Sequence, residues 1–194
     1  MKKIEALLIL QKSKRDIFSL MDLKKLLRIG NDNTAYVQAN RLTTEGLLER
    51  ITKGVYCLKD SKPDDFETAN FLCQPSYISL ESALAYYGIL IQTPQTITSV
   101  TPKRAKKVQA GNREFTYSHL DQRYYTDYIK EQNFIIAAPE KALIDTIFFA
   151  GYGRTVIHPE EWVLNNINKK KLGKLSGKIE SRIFRNYFSS LNIC

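Results

Sequence analysis

The chain has 194 residues, enough for one large domain or two small ones, and 43% of them are hydrophobic, which suffices for ordinary cores. Its 29 Lys and Arg against 20 Asp and Glu give a formal net charge of +9, so nucleic acid is the expected partner, ahead of an acidic membrane or protein. The start resembles no signal peptide and no apolar run is long enough to span a membrane, so we expect a cytoplasmic protein without a membrane partner.

The first residues predict two helices. The first is expected from Lys3 to Gln11 and the second from Met21 to Ile29, where Gly30 ends it. We expect the first helix to cover the back of a helix pair formed by the second helix and a third. The apolar residues expected to face inward are Ile4, Leu7, Leu8 and Leu10 in the first helix, and Leu23, Leu26 and Leu27 in the second.

The third helix and a β-hairpin follow directly. Ala35, Ala39 and Leu42 recur at helical spacing, so they predict a buried face that packs closely against the second helix. The polar residues 31–33 can cap the start of this helix, and Gly46 can end it. Two short strands, Leu48 to Ile51 and Val55 to Leu58, then flank the turn Thr52-Lys53-Gly54.

These elements together predict a winged helix-turn-helix, in which the second helix of the pair enters the major groove of DNA. Asn, Gln and Arg can each bond two atoms of one base edge, and a lysine at the hairpin tip suits a phosphate. The alternative is a small helical domain with an ordinary solvated face. The predicted DNA-binding residues are Asn33, Thr34, Tyr36, Val37, Gln38, Asn40, Arg41 and Lys53.

A polar stretch with a proline, Asp60 to Asp65, predicts a linker between a first domain of residues 1–60 and a second domain of residues 66–194. The second domain is predicted to be α+β with a small antiparallel sheet, which makes the whole chain α+β. The predicted strands are Tyr77-Ile78, Thr96 to Thr101, Arg113 to Tyr117, Tyr124 to Ile129 and Phe134 to Ala137. The predicted helices are Phe66 to Cys73, a helix between Ser79 and Gly88, one that opens at Pro139, Pro159 to Ile167, and a last one marked by Ile179, Ile183, Tyr187, Phe188 and Leu191.

The densest basic cluster lies between two predicted strands. Its residues are Lys103, Arg104, Lys106, Lys107 and Arg113. This patch would suit a second stretch of phosphate backbone, RNA or an acidic partner, or it would keep an edge strand soluble. The neighbouring Tyr117, Tyr124, Tyr125 and Tyr128 would either stack on unpaired bases or fill a sheet core.

No nucleophile elbow, P-loop, H-E-x-x-H or paired-carboxylate pattern occurs in the sequence, so we predict no catalytic residue, no cofactor and no enzyme. Cys57, Cys73 and Cys194 form no C-x-x-C pair, which predicts free thiols and no metal site. His119 and His158 are expected to be ordinary loop residues. Asp145 lies one turn after Lys141, which predicts a weakly favourable ion pair and a carboxylate that anchors a nearby loop.

Three stretches carry a resemblance to a known family: LLERITKGVYCL from Leu47 to Leu58, YISLESALAYYG from Tyr77 to Gly88, and APEKALID from Ala138 to Asp145. In these stretches and their order the chain resembles the AbiEi-type antitoxins of bacterial abortive-infection systems, the type IV toxin–antitoxin operons. The resemblance implies repression of the chain's own operon through the N-terminal winged helix. It also implies that the C-terminal domain counteracts a nucleotidyltransferase-like toxin, without a stable complex. The same regulator-like domain also occurs without a neighbouring toxin gene.

We therefore predict a DNA-binding autorepressor that also acts as an antitoxin in antiviral defence. Two other functions stay open. A one-component regulator whose C-terminal domain senses a small ligand would be favoured by a deep apolar pocket in residues 66–194. A nucleic-acid-processing enzyme that docks through the winged helix would be favoured by a cleft with converging acids.

Overall fold

The computed structural model describes residues 2–193, an α+β chain in two compact units. The first unit comprises the chain up to Leu72 together with Gln109–Asn112, and the second comprises the remainder. The stretch predicted as a linker runs into helix α4 (Asp65–Leu72), which groups with the first unit. Independent folding of residues 1–60 and 66–194 therefore stays a prediction.

Three helices and a three-stranded antiparallel sheet build the first unit ahead of α4. The helices are α1 (Lys3–Lys12), α2 (Leu20–Leu26) and α3 (Asp32–Thr44), and the strands are β1 (Ile17–Ser19), β2 (Leu48–Thr52) and β3 (Val55–Leu58). The strand order is β1-β3-β2, so the predicted hairpin gains a third strand that the sequence pattern did not predict. The predicted helices, hairpin and turn are otherwise present.

Local hydrogen bonds fix where the helices of the first unit begin and end. The Ser19 hydroxyl accepts from the Asp22 amide and the Asp22 carboxylate accepts from the Ser19 amide, a capping box that starts α2. Arg28 takes a left-handed conformation with φ +53°, so α2 ends earlier than the predicted Ile29. The Thr34 amide donates to Asn31 Oδ1 over 2.8 Å at the start of α3, and Gly46 follows its end with φ +70°.

Helix α1 turns a different face inward from the one expected. Ala6 and Leu10 are fully buried, whereas Ile4 and Leu8 are 72% and 55% exposed. Residues two positions apart lie about 200° apart around a helix, so burying Ala6 forces its apolar neighbours outward. The predicted inward positions of Ile4 and Leu8 are therefore wrong, whereas that of Leu10 is confirmed, and the packed face also includes the small residue Ala6.

Most elements of the second unit lie in a six-stranded sheet and the helices after it. The strands are β4 (Tyr77–Ile78), β5 (Ile97–Thr101), β6 (Lys106–Ala110), β7 (Arg113–His119), β8 (Tyr128–Glu131) and β9 (Phe134–Ala137). The helices are α5 (Leu80–Tyr86), α6 (Pro139–Gly151), α7 (Lys169–Gly177) and α8 (Arg182–Ser190). No helix within residues 2–193 is both long enough and apolar enough to cross a membrane.

The sheet of the second unit is mixed, with the order β6-β7-β5-β4-β9-β8. Strand β5 runs parallel to β7 and β4 runs parallel to β9, whereas the pairs β4–β5 and β8–β9 are antiparallel. The prediction of a small antiparallel sheet for this part of the chain is wrong. The chain reverses direction once between β5 and β6 and again between β6 and β7. Strand β7 therefore pairs with β5 in the same direction.

Two further predictions for the second unit are wrong, and one helix was not predicted. The predicted helix from Pro159 to Ile167 is only a short 3-10 turn, Pro159–Glu161, and the predicted strand at Tyr124 begins only at Tyr128. Helix α7 was not predicted because lysines dominate it, yet Leu172 and Leu175 bury its inner face. In α8 the buried residue is Phe184, and Ile183 is 50% exposed.

Candidate functional site

Helix α3 presents one buried face and one exposed face. Ala35, Ala39 and Leu42 are at most 1% exposed, as predicted from their spacing. The opposite face carries most of the predicted DNA-binding residues, all exposed: Asn33, Thr34, Tyr36, Val37, Asn40 and Arg41. Gln38 is half-buried, because it lies one turn before the buried Leu42 and shares its side of the helix.

Two apolar side chains stand in the middle of this exposed face. Val37 is 66% exposed and Tyr36 is 42% exposed, and Val37 points away from the buried alanines. Asn33 and Asn40 lie one turn before and after Val37. The face therefore combines amide groups that hydrogen-bond base edges with a branched apolar group that fits a thymine methyl.

Arg41 stands near the end of α3 with its side chain 45% exposed. Its Nε lies 3.4 Å from a carboxylate oxygen of Glu45, one turn further on. An exposed ion pair of this kind contributes little to stability.

The β2–β3 hairpin exposes Lys53 at its tip, where Gly54 has φ +77°. The Leu20 amide donates to the Gly54 carbonyl over 2.8 Å, which ties the hairpin to the start of α2. Arg50 on β2 is also exposed, and its Nε donates to the Thr52 carbonyl over 3.3 Å. Arg50 was not among the predicted DNA-binding residues, although a second basic residue three positions before Lys53 was a usable signal.

Positive charge is unevenly divided along the chain. Residues up to Leu72 contain 13 Lys and Arg against 10 Asp and Glu, whereas the residues after Leu72 contain 16 against 10. The exposed face of α3 therefore belongs to the less basic part of the chain. The second unit therefore contributes the larger share of the attraction that the chain exerts on a polyanion.

The predicted basic patch lies at an edge of the six-stranded sheet. Lys103 and Arg104 stand in the loop before β6, Lys106 and Lys107 lie on β6, and Arg113 begins β7; all five are exposed. Strand β6 is the edge strand, so lysines there hinder pairing with another chain, whatever else they bind.

Local contacts already engage part of the patch. Lys107 Nζ lies 3.4 Å from a Glu114 carboxylate oxygen, and Lys106 Nζ lies 5.2 Å from the centre of the Tyr117 ring. The Arg113 guanidinium donates to the Gln95 carbonyl over 3.3 Å. The Lys107–Glu114 pair is exposed and contributes little to stability, whereas the Tyr117 ring that Lys106 contacts is buried.

The tyrosines near the patch mostly pack inside the second unit. Tyr117 is 1% exposed and Tyr125 is 9% exposed, and the Tyr125 ring lies 4.8 Å from that of Tyr77. Burial raises the pKa values of Tyr117 and Tyr125 above the usual value for a phenol. Rings that are buried to this extent cannot stack on an external base. Tyr124 is half-buried against Phe148, and Tyr128, 43% exposed, stacks on the Tyr77 ring.

Two of the stretches that carry the family resemblance meet in one buried polar cluster. The hydroxyls of Tyr77 and Ser79 each donate to Asp145 Oδ2 over 2.9 Å, and the Lys141 ammonium pairs with Oδ1. The predicted ion pair and the anchoring role of Asp145 are therefore confirmed, but the pair is buried, with Lys141 and Asp145 3% and 1% exposed, which the sequence pattern did not predict. Burial, followed by the nearby Asp145 charge, raises the pKa of Tyr77 well above its usual value, which keeps the phenol a hydrogen-bond donor.

The histidines and cysteines within the described residues form no candidate metal or catalytic site. His119 Nδ1 lies 2.9 Å from the Lys103 carbonyl oxygen, and His158 lies in a loop, 3.3 Å from Glu160. Cys57 and Cys73 are buried free thiols, and Cys194 lies outside the described residues. Burial, and to a lesser degree the charge of Glu49, raises the pKa of Cys57 to about 11, so this thiol is not a reactive thiolate at neutral pH. Residues 2–193 bring no three His, Cys, Asp or Glu side chains together for a metal ion.

A cavity of about 440 Å³ lies within the second unit, between helices α5 and α6 and two loops. It falls inside residues 66–194, the part of the chain in which a pocket would favour a ligand-sensing role.

The chain matches no protein-family model, and no curated protein matches it significantly. The geometry and the family resemblance therefore carry the functional proposal.

Proposed function

We propose that the protein is a DNA-binding transcriptional repressor whose first unit works as a winged helix-turn-helix. In this proposal α3 lies in the major groove and the β2–β3 hairpin is the wing, with Lys53 at a phosphate. The observation that carries it is the exposed face of α3, where amide and guanidinium groups surround an exposed Val37. Such a face suits base edges better than it suits water.

The connection between α2 and α3 supports the same arrangement. Only the residues between Leu26 and Asp32 separate the two helices, and Asn31 caps the second of them. Two small residues, Ala35 and Ala39, let α3 approach its neighbours closely, which leaves its polar side outward. A short link and a close approach are what a helix-turn-helix requires.

On the resemblance, we propose further that the repressor controls its own operon and that the second unit counteracts a nucleotidyltransferase-like toxin. Two of the three motif stretches are joined in the fold, since the Ser79 hydroxyl of one donates to Asp145 of the other. The exposed basic residues of the second unit supply a surface for an anionic target or an acidic partner. A surface of this kind would protect a shared target without a stable complex with the toxin.

A second candidate is a one-component regulator that senses a small ligand. The 440 Å³ cavity favours it, because small-molecule sites commonly occupy about 300–1,000 Å³. A sensor would change its affinity for operator DNA when the ligand binds. An antitoxin would rescue cells from a co-expressed toxin, whether or not a ligand is present.

Fluorescence anisotropy with duplexes from the region upstream of the gene tests the repressor proposal. We expect one duplex to bind at least about 10³-fold more tightly than a scrambled duplex of equal length at the same salt. Equal affinity for all duplexes would contradict sequence-specific repression. Growth of cells that express the neighbouring toxin, with and without this protein, then separates the antitoxin from the sensor.

A further inference from the structure

The cavity of the second unit has a closed end and an open mouth. Leu84 of α5 and Thr146 of α6 line it and are at most 1% exposed, so they mark its deep side. Ile91 and Val156 line it as well and are 84% and 82% exposed, so they mark the mouth. A molecule that enters between these two residues would leave water and contact apolar side chains on several sides.

The charges that line the cavity have the opposite sign to the chain as a whole. Glu81 and Glu161 contribute two carboxylates, and the described residues that line the cavity include no lysine and no arginine. His158 is the one base among these described lining residues. The chain as a whole has a net charge of +9, but the two acids at this cavity repel anionic ligands and attract cationic ones.

A side-chain hydrogen bond positions the Glu81 carboxylate. The Thr155 hydroxyl donates to its Oε1 over 3.0 Å, which fixes the half-buried carboxylate. Trp162 also lines the cavity and is half-buried. An indole ring attracts a cation to its face, and the attraction strengthens as water is excluded.

We propose that this cavity binds a small organic cation, a primary ammonium attached to an apolar body. The ammonium would lie between the Glu81 carboxylate and the Trp162 ring, and the apolar body would pack against Leu84. A phosphate or carboxylate ligand would meet two like charges without a lysine or arginine to balance them. The inference does not depend on DNA binding, because it concerns the second unit alone.

Trp162 provides a direct signal, since it is the one tryptophan in the sequence. The full-length protein is titrated with phenethylamine, phenethyl alcohol and phenylacetate, and Trp162 fluorescence is recorded. These three probes share an aromatic body and differ in charge. We expect saturable binding of the amine, about tenfold tighter than that of the alcohol, with phenylacetate the weakest. Equal affinities for amine and alcohol, or no saturable change with the amine, would overturn the proposal.

Charge-neutral variants then locate the cation. Glu81→Gln keeps an oxygen for the Thr155 hydroxyl, and we expect it to weaken amine binding about tenfold while alcohol binding stays unchanged. Glu180→Gln is the matched control, because Glu180 is an exposed acid outside the cavity lining, and it should bind the amine like the unmodified protein. If Glu81→Gln fails to fold by circular dichroism, Thr155→Val takes its place, since it removes the hydroxyl that positions the Glu81 carboxylate. An unchanged preference for the amine in the folded variant would overturn the assignment.

Discussion

Asp145 is almost fully buried, and it accepts hydrogen bonds from residues 66 and 68 positions away in the chain. The charge of Lys141 compensates its own, also in the interior. A buried ion pair is not in itself strongly stabilising, but removal of one partner leaves the other charge without compensation. The cluster therefore makes the packing of β4, α5 and α6 depend on one carboxylate.

We predict that Asp145→Ala lowers the free energy of unfolding by about 3–5 kcal/mol, because Lys141 is left buried and unpaired. Urea denaturation followed by circular dichroism measures this change. Glu180→Ala is the matched control, since Glu180 pairs with Arg123 on the surface and its loss should change stability little. Equal effects of the two substitutions would mean that the buried pair has no structural role.

The spacing of Lys141 and Asp145 predicted their contact but not its burial. Burial depends on Tyr77 and Ser79, and a local pattern cannot place residues so distant in sequence beside α6. The spacing of apolar residues correctly predicted the burial of Ala35, Ala39 and Leu42, because one face of α3 is apolar and the other polar. The same spacing gave the wrong burial for Ile4, because α1 has apolar residues on both sides and tertiary packing decides which side is buried.

At the scale of elements, helix α7 shows how a lysine-rich segment is anchored. Glu140 at the start of α6 is 5% exposed, and its Oε1 accepts from the Asn168 amide over 3.1 Å. The Lys171 ammonium lies 2.8 Å from its Oε2. Burial alone would raise the pKa of Glu140, but the bonds from Lys171 and Asn168 outweigh it and hold the pKa below its usual value.

This arrangement predicts a loss of stability in acid. Because the pKa of Glu140 is lower in the folded chain than in the unfolded chain, the stabilisation is complete above about pH 4.5 and is lost as the pH falls below that value. Urea denaturation between neutral pH and pH 3 should show a smaller acid loss for Glu140→Gln than for the unmodified protein. Glu180→Gln serves as the control for net charge. Parallel pH profiles for the unmodified protein and Glu140→Gln would contradict the assignment.

The elements themselves were predictable where a pattern is local. The proline at the start of α6, the glycine in the β2–β3 turn and the β-branched run of β5 each fixed their element correctly. The mixed order of the large sheet was not predictable, since it depends on which strand the returning β7 joins. Helix α7 was missed because two leucines among lysines give a weak apolar signal.

At the scale of the whole molecule, the excess positive charge lies mostly beyond Leu72. If the basic patch at β6 binds phosphates in addition to those bound by the first unit, charge reversal there should reduce the salt dependence of DNA binding. We predict that reversal of Lys103, Arg104, Lys106 and Lys107 to Glu lowers the slope of log affinity against log salt by about 0.9 for each phosphate that the variant no longer neutralises. The measurement is a salt titration of operator binding by the full-length protein.

A second basic surface supplies the control for this titration. Lys171 and Lys178 pair with Glu140 and Asp127, so they are left unchanged. Reversal of the exposed Lys169, Lys170 and Lys174 on α7 alters a similar amount of charge without touching β6. An equal reduction of the slope in both variants would indicate a general charge effect, and an unchanged slope in the β6 variant would mean that the patch does not contact the duplex.

The central claim is that α3 reads base sequence and that the hairpin contacts phosphate. Affinities of Arg41→Ala and Lys53→Ala for the operator, and for operators with single base changes, test it most directly, with Arg185→Ala as a matched surface control. We predict that Arg41→Ala weakens operator binding by about 1–3 kcal/mol and relaxes specificity at one base position, whereas Lys53→Ala weakens all duplexes equally. If Arg41→Ala binds the native operator as tightly as the unmodified protein at the same salt, α3 does not read the DNA in this way.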